Sequence, residues 1–282
     1  MPPVSQSSLI LVTGASGFLA VHVVKSLLRR GHRVRGTVRS APKGEYLRDL
    51  FDPEFPGKFE YVIVKDIAQA RAFDDAVKDV DGIAHTASPV VFSGPEDPPE
   101  SLIKPAVAGT VGLLNSAQKF GSNVQRVVLT SSYAALLEPH DGPYEYSEND
   151  WNEYSIAEAY KAGPHAGVHK YRASKSLAER SFWNFISEQK PQFDGVSANP
   201  PFIYGPLLHE ISSIDQLNLS TKLLWDKFAH ELPEGELTAY AGNFIDVRDA
   251  AEVHADALEK AEAAGHRLVV SAGSVCHQDF CE

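Results

Sequence analysis

The chain has 282 residues, 43% of them hydrophobic, enough to bury a large core in one α/β domain or in one domain with a smaller lobe. Its 37 acidic residues outnumber 26 basic ones, and the net charge of −11 argues against nucleic-acid or anionic-membrane partners. No run approaches the roughly 18 apolar residues of a membrane span, and the opening M-P-P-V-S-Q-S-S lacks a basic targeting region. Cys276 and Cys281 are too few for a disulfide framework or a self-contained zinc site, so a cytoplasmic protein is expected.

The apolar run Leu9 to Val12 is short and bounded by glycine, which predicts a buried strand. Gly14 and Gly17 follow in the spacing G-x-x-G-x-x-A. Phe18, Leu19, Val23, Val24, Leu27 and Leu28 then recur at helical spacing, up to Gly31. A strand, a glycine turn and a helix N-terminus gather unpaired N–H groups and the helix dipole at one place, which suits a pyrophosphate. Gly14 permits the tight turn, and the absent side chain at Gly17 lets the anion approach.

Arg33 to Val38 reads as the second strand. A cofactor with a free ribose 2′-hydroxyl usually meets an acid at this strand end, but none occurs from Arg33 to Ser40. Arg39 stands there instead, with Lys43 close behind, so NADPH is favoured over NADH. Phe59 to Val64 predicts a third strand, with Asp66 and Ile67 placed to flank adenine. Ala70 to Lys78 predicts a short helix and Gly82 to Thr86 a fourth strand, after which the small residues around Thr86 and Ala87 let a cofactor pass. Gly94 to Pro99 reads as a loop and Ser101 to Phe120 as a long helix, disturbed near Pro105.

Gln125 to Thr130 predicts a fifth strand ending in Ser131 and Ser132. Strand–helix alternation over some 120 residues implies a parallel sheet with right-handed crossovers, whose ligands sit beyond the strand carboxyl ends. Gly14, Arg39, Asp66, Ala87 and Ser132 all fall at such ends. Leu136 to Pro164 reads as a long functional or mobile loop. Ala166 to Glu188 is helical, Val196 to Asn199 ends a sixth strand, and a smaller lobe is expected between Tyr204 and Tyr240. Arg248 to Ala264 reads as a final helix and Leu268 to Ser271 as a last strand. The resulting division is a dinucleotide-binding domain over 1–200 and a partial substrate lobe over 201–282, whose segment 248–271 returns to the core.

Tyr-x-x-x-Lys occurs twice. Tyr61 and Lys65 lie on a predicted strand, where four residues span about 13 Å. Tyr171 and Lys175, in Y-R-A-S-K, lie on a predicted helix, where i and i+4 are roughly 6 Å apart. An ammonium beside a phenol is expected to lower the phenol pKa from about 10 toward the working range, so that it serves as a proton donor. Ser132 can hold the same oxygen.

T-G-A-S-G-F-L-A, V-R-G-T-V-R-S, H-T-A-S-P, V-V-L-T-S-S-Y-A-A, Y-R-A-S-K, N-P-P-F-I-Y-G-P and F-I-D-V-R-D-A-A occur in that order. The set, spanning about Leu9 to Ser271, resembles the extended short-chain dehydrogenases/reductases. It is most similar to the branch of dihydroflavonol reductase, cinnamoyl-CoA reductase and the fungal NADPH-dependent methylglyoxal and carbonyl reductases. The resemblance implies a Rossmann-type doubly wound parallel sheet with a small, incomplete C-terminal lobe. It implies Ser132, Tyr171 and Lys175 as the catalytic triad, with Lys175 also on the nicotinamide ribose. Gly14, Gly17, Phe18 and Ala20 would line the pyrophosphate, and Arg39 with Lys43 the 2′-phosphate. Asp66 and Ile67 would lie near adenine, and Thr86, Ala87, Pro200 and Ile203 along the nicotinamide half. Ala20 replaces a third glycine of the commoner pattern, as is frequent in this branch. The family would continue about 50–60 residues past C-H-Q-D-F-C-E, completing the substrate lobe.

The expected activity is therefore NADPH-dependent reduction of a small-molecule aldehyde or ketone by a monomer or homodimer. An NAD-dependent sugar-nucleotide epimerase or dehydratase is an alternative of the same fold, and a catalytically idle dinucleotide-binding regulator is another. Phe92, Tyr133, Trp151, Phe202 and Tyr204 could form an aromatic pocket; Trp151 could equally pin its loop to the body. His165 and His169 read as a solvated pair rather than metal ligands.

Overall fold

The computed structural model describes residues 3–89, 97–161, 166–229 and 232–281. Its elements, in chain order, are β1 (Leu9–Thr13), α1 (Phe18–Arg29), β2 (Arg33–Val38), α2 (Ala41–Phe51), β3 (Phe59–Ile63) and β4 (Gly82–His85). They continue with α3 (Glu100–Phe120), β5 (Arg126–Thr130), α4 (Glu153–Glu158), α5 (Ala166–Gln189), β6 (Asp194–Asn199) and β7 (Phe202–Tyr204). The last are α6 (Leu219–Phe228), α7 (Glu234–Leu237), β8 (Tyr240–Asp246), α8 (Val247–Glu259), β9 (Arg267–Val269) and β10 (Gly273–Cys276).

The main sheet has seven parallel strands in the order β3-β2-β1-β4-β5-β6-β9. Both faces are covered, so its central strands are apolar throughout. In β1, Ile10 and Val12 join α1 and α8 on one face, while Leu9 and Leu11 join α3 and α5 on the other. The strand order reverses between β1 and β4, opening the crevice where ligands of such sheets bind. This is the Rossmann-type fold expected from the sequence.

Several details differ from the sequence reading, among them the short α4 inside the expected loop 136–164 and the end of α8 at Glu259 instead of Ala264. Residues 70–78 form consecutive turns rather than a helix. Phe73, Ala76 and Val77 are buried as a helix face would be, but positive φ at Arg71 (66°) and Asp79 (62°) interrupts the right-handed run. Helix α2, with proline in its first turn and Leu47 and Phe51 buried, was not expected. Nor was a second sheet, β10-β8-β7, in which β7 runs parallel and β10 antiparallel to β8. The expected long helix of residues 101–120 is present as α3, continuous through Pro105. Among the described residues, no helix is long and apolar enough to cross a membrane.

Candidate active site

The β1–α1 turn sits at the crevice. Gly14 has φ +64°, and a Cβ there would lie 3.2 Å from Ala87, so the turn is held tight against the end of β4. Its N–H donates to Thr37 Oγ1 at 2.9 Å, and the Ala15 N–H donates to the Thr37 carbonyl at 2.9 Å. Gly36, one residue earlier on β2, was not singled out from the sequence. A Cβ on it would stand 2.7 Å from that of Ala15, so only glycine lets the turn dock on β2. At Gly17 a Cβ would lie 3.2 Å from the Gly14 carbonyl oxygen. Gly17 caps α1 with no side-chain hydrogen bond, and no acid occupies the first turn containing Phe18 and Ala20. The free N–H groups and positive dipole end suit an anion, and with Arg39 they fit a phosphorylated dinucleotide.

Arg39 follows β2, is exposed, and has no hydrogen-bond or ionic partner among the described residues. Lys43, in the first turn of α2, is paired with Glu210 at 2.8 Å. The segment bearing Glu210 also lies over α1 and α2. His209 meets the Phe18 ring edge at 5.5 Å, and Tyr46 donates to the Leu208 carbonyl at 3.0 Å. Asp66 accepts the Ala68 N–H at 2.9 Å, and Ile67 packs over Gly109 of α3. Thr86 donates to the Thr13 carbonyl, and the Ala87 N–H donates to Thr13 Oγ1 at 3.0 Å. The Pro200 carbonyl accepts from the Tyr133 N–H at 2.9 Å, and that of Ile203 from Ser220.

Ser132 follows β5 and caps the short 3₁₀ turn Tyr133–Ala135, its Oγ accepting from the Ala134 N–H at 3.1 Å. The Tyr171 side chain of α5 interacts with it, so the end of β5 and the middle of α5 come together here. Lys175, one turn on, is buried. The electrostatics differ from the sequence expectation. Burial pushes the Tyr171 phenol up, and its interaction with Ser132 offsets only part of that. Burial also pulls Lys175 down to about 8, against the opposing charge of Glu179. Desolvation, invisible in the i,i+4 spacing, is the largest cause of both shifts. The result is a neutral phenol at neutral pH, the form that donates a proton.

Next to Ser132 in the chain, Tyr133 lines a cavity of about 400 Å³ with Leu137, Tyr144, Tyr146, Tyr240 and Asn243. The Asn243 amide donates to the Tyr133 hydroxyl at 3.2 Å. Of the other aromatic candidates, Phe92 lies outside the described residues. Phe202 and Tyr204 stack on each other along β7 at 6.2 Å. Trp151 is met by the guanidinium groups of Arg267, at 3.7 Å, and Arg180, at 5.0 Å, and so pins its loop to the body. His165 lies outside the described residues, and His169 contacts Ser155 and the Tyr154 ring. No cluster of metal-binding side chains occurs among the described residues.

A parallel sheet with an uncapped glycine turn at its switch point and a Ser–Tyr–Lys set beyond β5 defines a dinucleotide-dependent α/β protein. Residues 10–273 match the NAD dependent epimerase/dehydratase family, and the chain belongs to that family. It is 36% identical over 283 residues to the NADPH-dependent methylglyoxal reductase of Saccharomyces cerevisiae, covering 97% of this chain and 80% of that protein. It is 36% identical over 277 residues to a ketoreductase of Aspergillus niger, with the same coverage. The crystal structure of yeast methylglyoxal/isovaleraldehyde reductase complexed with NADPH superimposes with a TM-score of 0.81 at 33% identity, covering 96% of this chain and 80% of that one.

Proposed function

We propose that this chain is an NADPH-dependent carbonyl reductase in which Tyr171 is the proton donor, Ser132 holds the carbonyl oxygen, and Lys175 orders the site and the cofactor ribose. The observation that supports this assignment of roles is that Ser132, just past β5, and Tyr171 of α5 are within side-chain reach of each other, with Lys175 buried one turn on. That proximity brings a strand-end hydroxyl and a helical phenol to one point beside the crevice. The reductase relatives favour this activity over an epimerase or an idle regulator. The substrate is a small aldehyde or ketone.

The uncapped turn at Gly14 and Gly17, with Phe18 and Ala20 behind it, would hold the pyrophosphate. Arg39 and Lys43 would hold the 2′-phosphate, Asp66 and Ile67 the adenine, and Thr86, Ala87, Pro200 and Ile203 the nicotinamide half. When bound, NADPH supplies the hydride. The chain's own part is to fix the carbonyl and deliver a proton. Ser132 orients the carbonyl oxygen by a hydrogen bond. Tyr171 donates its proton to that oxygen as negative charge grows there, and its high pKa ensures that the proton is present. Lys175, one turn away, favours the phenolate left behind and assists its reprotonation.

Tyr171→Phe keeps the ring but removes the proton, so turnover with NADPH should fall at least about 100-fold while NADPH binding persists. Aldehydes, diketones and aryl ketones form the assay panel, with NADPH oxidation followed by absorbance. Wild-type activity retained by Y171F would remove Tyr171 from the mechanism.

A further inference from the structure

Glu179 lies four residues beyond Lys175 and eight beyond Tyr171, on the same face of α5, and its side chain is fully buried. Its carboxylate accepts from Ser131 Oγ at 2.6 Å, Ser197 Oγ at 2.9 Å, Asn199 Nδ2 at 2.8 Å and Arg267 Nε at 2.7 Å. Trp183 Nε1, one turn on along α5, also donates at 3.4 Å, and each of the other donors belongs to, or immediately follows, a strand of the main sheet. Ser131 precedes Ser132, and Asn199 precedes Pro200 and also donates to the Ser132 carbonyl at 3.2 Å. Arg267 of β9 donates to the carbonyls of Glu148 and Asp150 at 2.7 Å and covers Trp151. One carboxylate thus ties the helix carrying Tyr171 and Lys175 to three strands and, through Arg267, to the loop before α4.

A buried carboxylate costs several kcal/mol of solvation unless its lone pairs are filled, and here they are filled by donors from the end of β5, from β6 and from β9. Stability alone does not call for a charge at this place, since apolar side chains of similar volume commonly replace a buried ion pair without loss. What a charge adds is a field at Lys175. Lys175 interacts with His85 of β4 and with Glu179, and Tyr171 lies one turn before it on α5. His85, bonded to Thr13 Oγ1 at 2.8 Å, is held near 3 by burial and by Lys175, so it stays neutral. Arg180, which also meets the Trp151 ring, is paired with Glu153.

We propose that Glu179 is a positioning residue of the active site, which sustains the ammonium of Lys175 and locks the strand end bearing Ser132 against the catalytic helix. Arg267 is its counterweight and sets how much of the carboxylate's field reaches Lys175. The assignment rests on the reductase reading only for the role of Lys175 in catalysis; the coupling itself belongs to the cofactor-free chain.

The test is a pH titration of lysine 13Cε signals in the cofactor-free protein, with Lys175 assigned through K175M. Its titration near 8 separates it from exposed lysines near 10.4. Glu179→Gln keeps the shape and removes the charge, and should lower the Lys175 midpoint by about one pH unit. Arg267→Gln removes the counter-charge and should raise the midpoint. The alkaline limb of kcat for NADPH-dependent reduction should move in the same two directions. A purely structural carboxylate would impair both variants without opposite shifts; shifts of one sign, or none, overturn the proposal. Because E179Q leaves an unpaired buried guanidinium, the double variant E179Q/R267Q is measured beside it. Lys175 should titrate below wild type there by a smaller amount, and a midpoint at or above wild type overturns the proposal too. An inactive wild-type chain would instead sink the reductase reading, and the titration would still decide the coupling.

Discussion

Arg39→Ala isolates cofactor choice from folding. Arg39 is exposed and bonded to nothing among the described residues, so its truncation costs the apo fold almost nothing, within about 0.5 kcal/mol. Toward a 2′-phosphate, however, a guanidinium offers charge-assisted, two-pronged hydrogen bonds, worth about 1.5–3 kcal/mol to a charged acceptor. That converts to a roughly 10- to 150-fold weaker Kd for NADPH, at 1.36 kcal/mol per decade. NADH carries no 2′-phosphate, so its Kd should change less than about twofold, beneath the size of a lost charged hydrogen bond. Lys43 supplies a check on the reasoning. It enters the complex already paired with Glu210 at 2.8 Å, in an exposed contact worth about 0–1 kcal/mol. Lys43→Ala should therefore weaken NADPH less than R39A does, and Glu210→Gln should tighten NADPH slightly by freeing the lysine. Both nucleotides are titrated by nicotinamide fluorescence at fixed ionic strength, because the phosphate contribution is screened by salt. Equal loss of NADPH and NADH affinity in R39A, or no loss of either, would refute the placement of the 2′-phosphate at this strand end.

Other expectations follow from the same geometry. Gly36→Ala drives a methyl to 2.7 Å from the Ala15 Cβ and should destabilise the chain by about 1–3 kcal/mol while weakening both nucleotides, as denaturant midpoints and the same titrations would reveal. Arg126 is fully buried and gripped by Asp194, with further bonds to the Ala257 and Lys260 carbonyls; Arg126→Met should cost about 3–5 kcal/mol in urea unfolding, and a loss below 1 kcal/mol would contradict the burial argument. Lys175 titrates near 8 in the folded chain against about 10.5 when unfolded, so between those values the unfolded state binds the extra proton and stability rises with pH. Lys175→Met should abolish that slope and raise stability at pH 7 by about 2–3 kcal/mol while destroying turnover; parallel stability–pH curves for the two proteins would show that Lys175 is not desolvated.

Local chemistry made much of this molecule legible in the chain. The strand–glycine–helix stretch around Gly14, the acid-free end of β2 at Arg39, and the Tyr171–Lys175 spacing are short-range patterns. Each is governed by backbone sterics or by one helical turn, so the parallel sheet and its order of elements followed from them. Helix α2 is equally local, in A-P-K-G-E-Y-L-R-D-L-F, but Pro42 and Gly44 in its first turn and only two large buried apolar residues, Leu47 and Phe51, leave its helical pattern weak. Turns replaced the helix at 70–78 because burial of Phe73 and Val77 does not require regular dihedrals in between.

What the tertiary structure alone decided is how charge behaves once water is excluded. The i,i+4 spacing placed Lys175 beside Tyr171, but whether the phenol pKa rises or falls depends on surroundings drawn from β4, β5 and β6. The folded chain desolvates both groups and sends the phenol upward. The continuation of that spacing to Glu179 was visible in the sequence, yet its donors outside α5 come from positions 131, 197, 199 and 267, far apart along the chain. Gly36 likewise gained its meaning only when the turn at Ala15 closed upon it. Periodicity reports which face of an element is apolar, whereas solvation and long-range partners exist only after those faces have met.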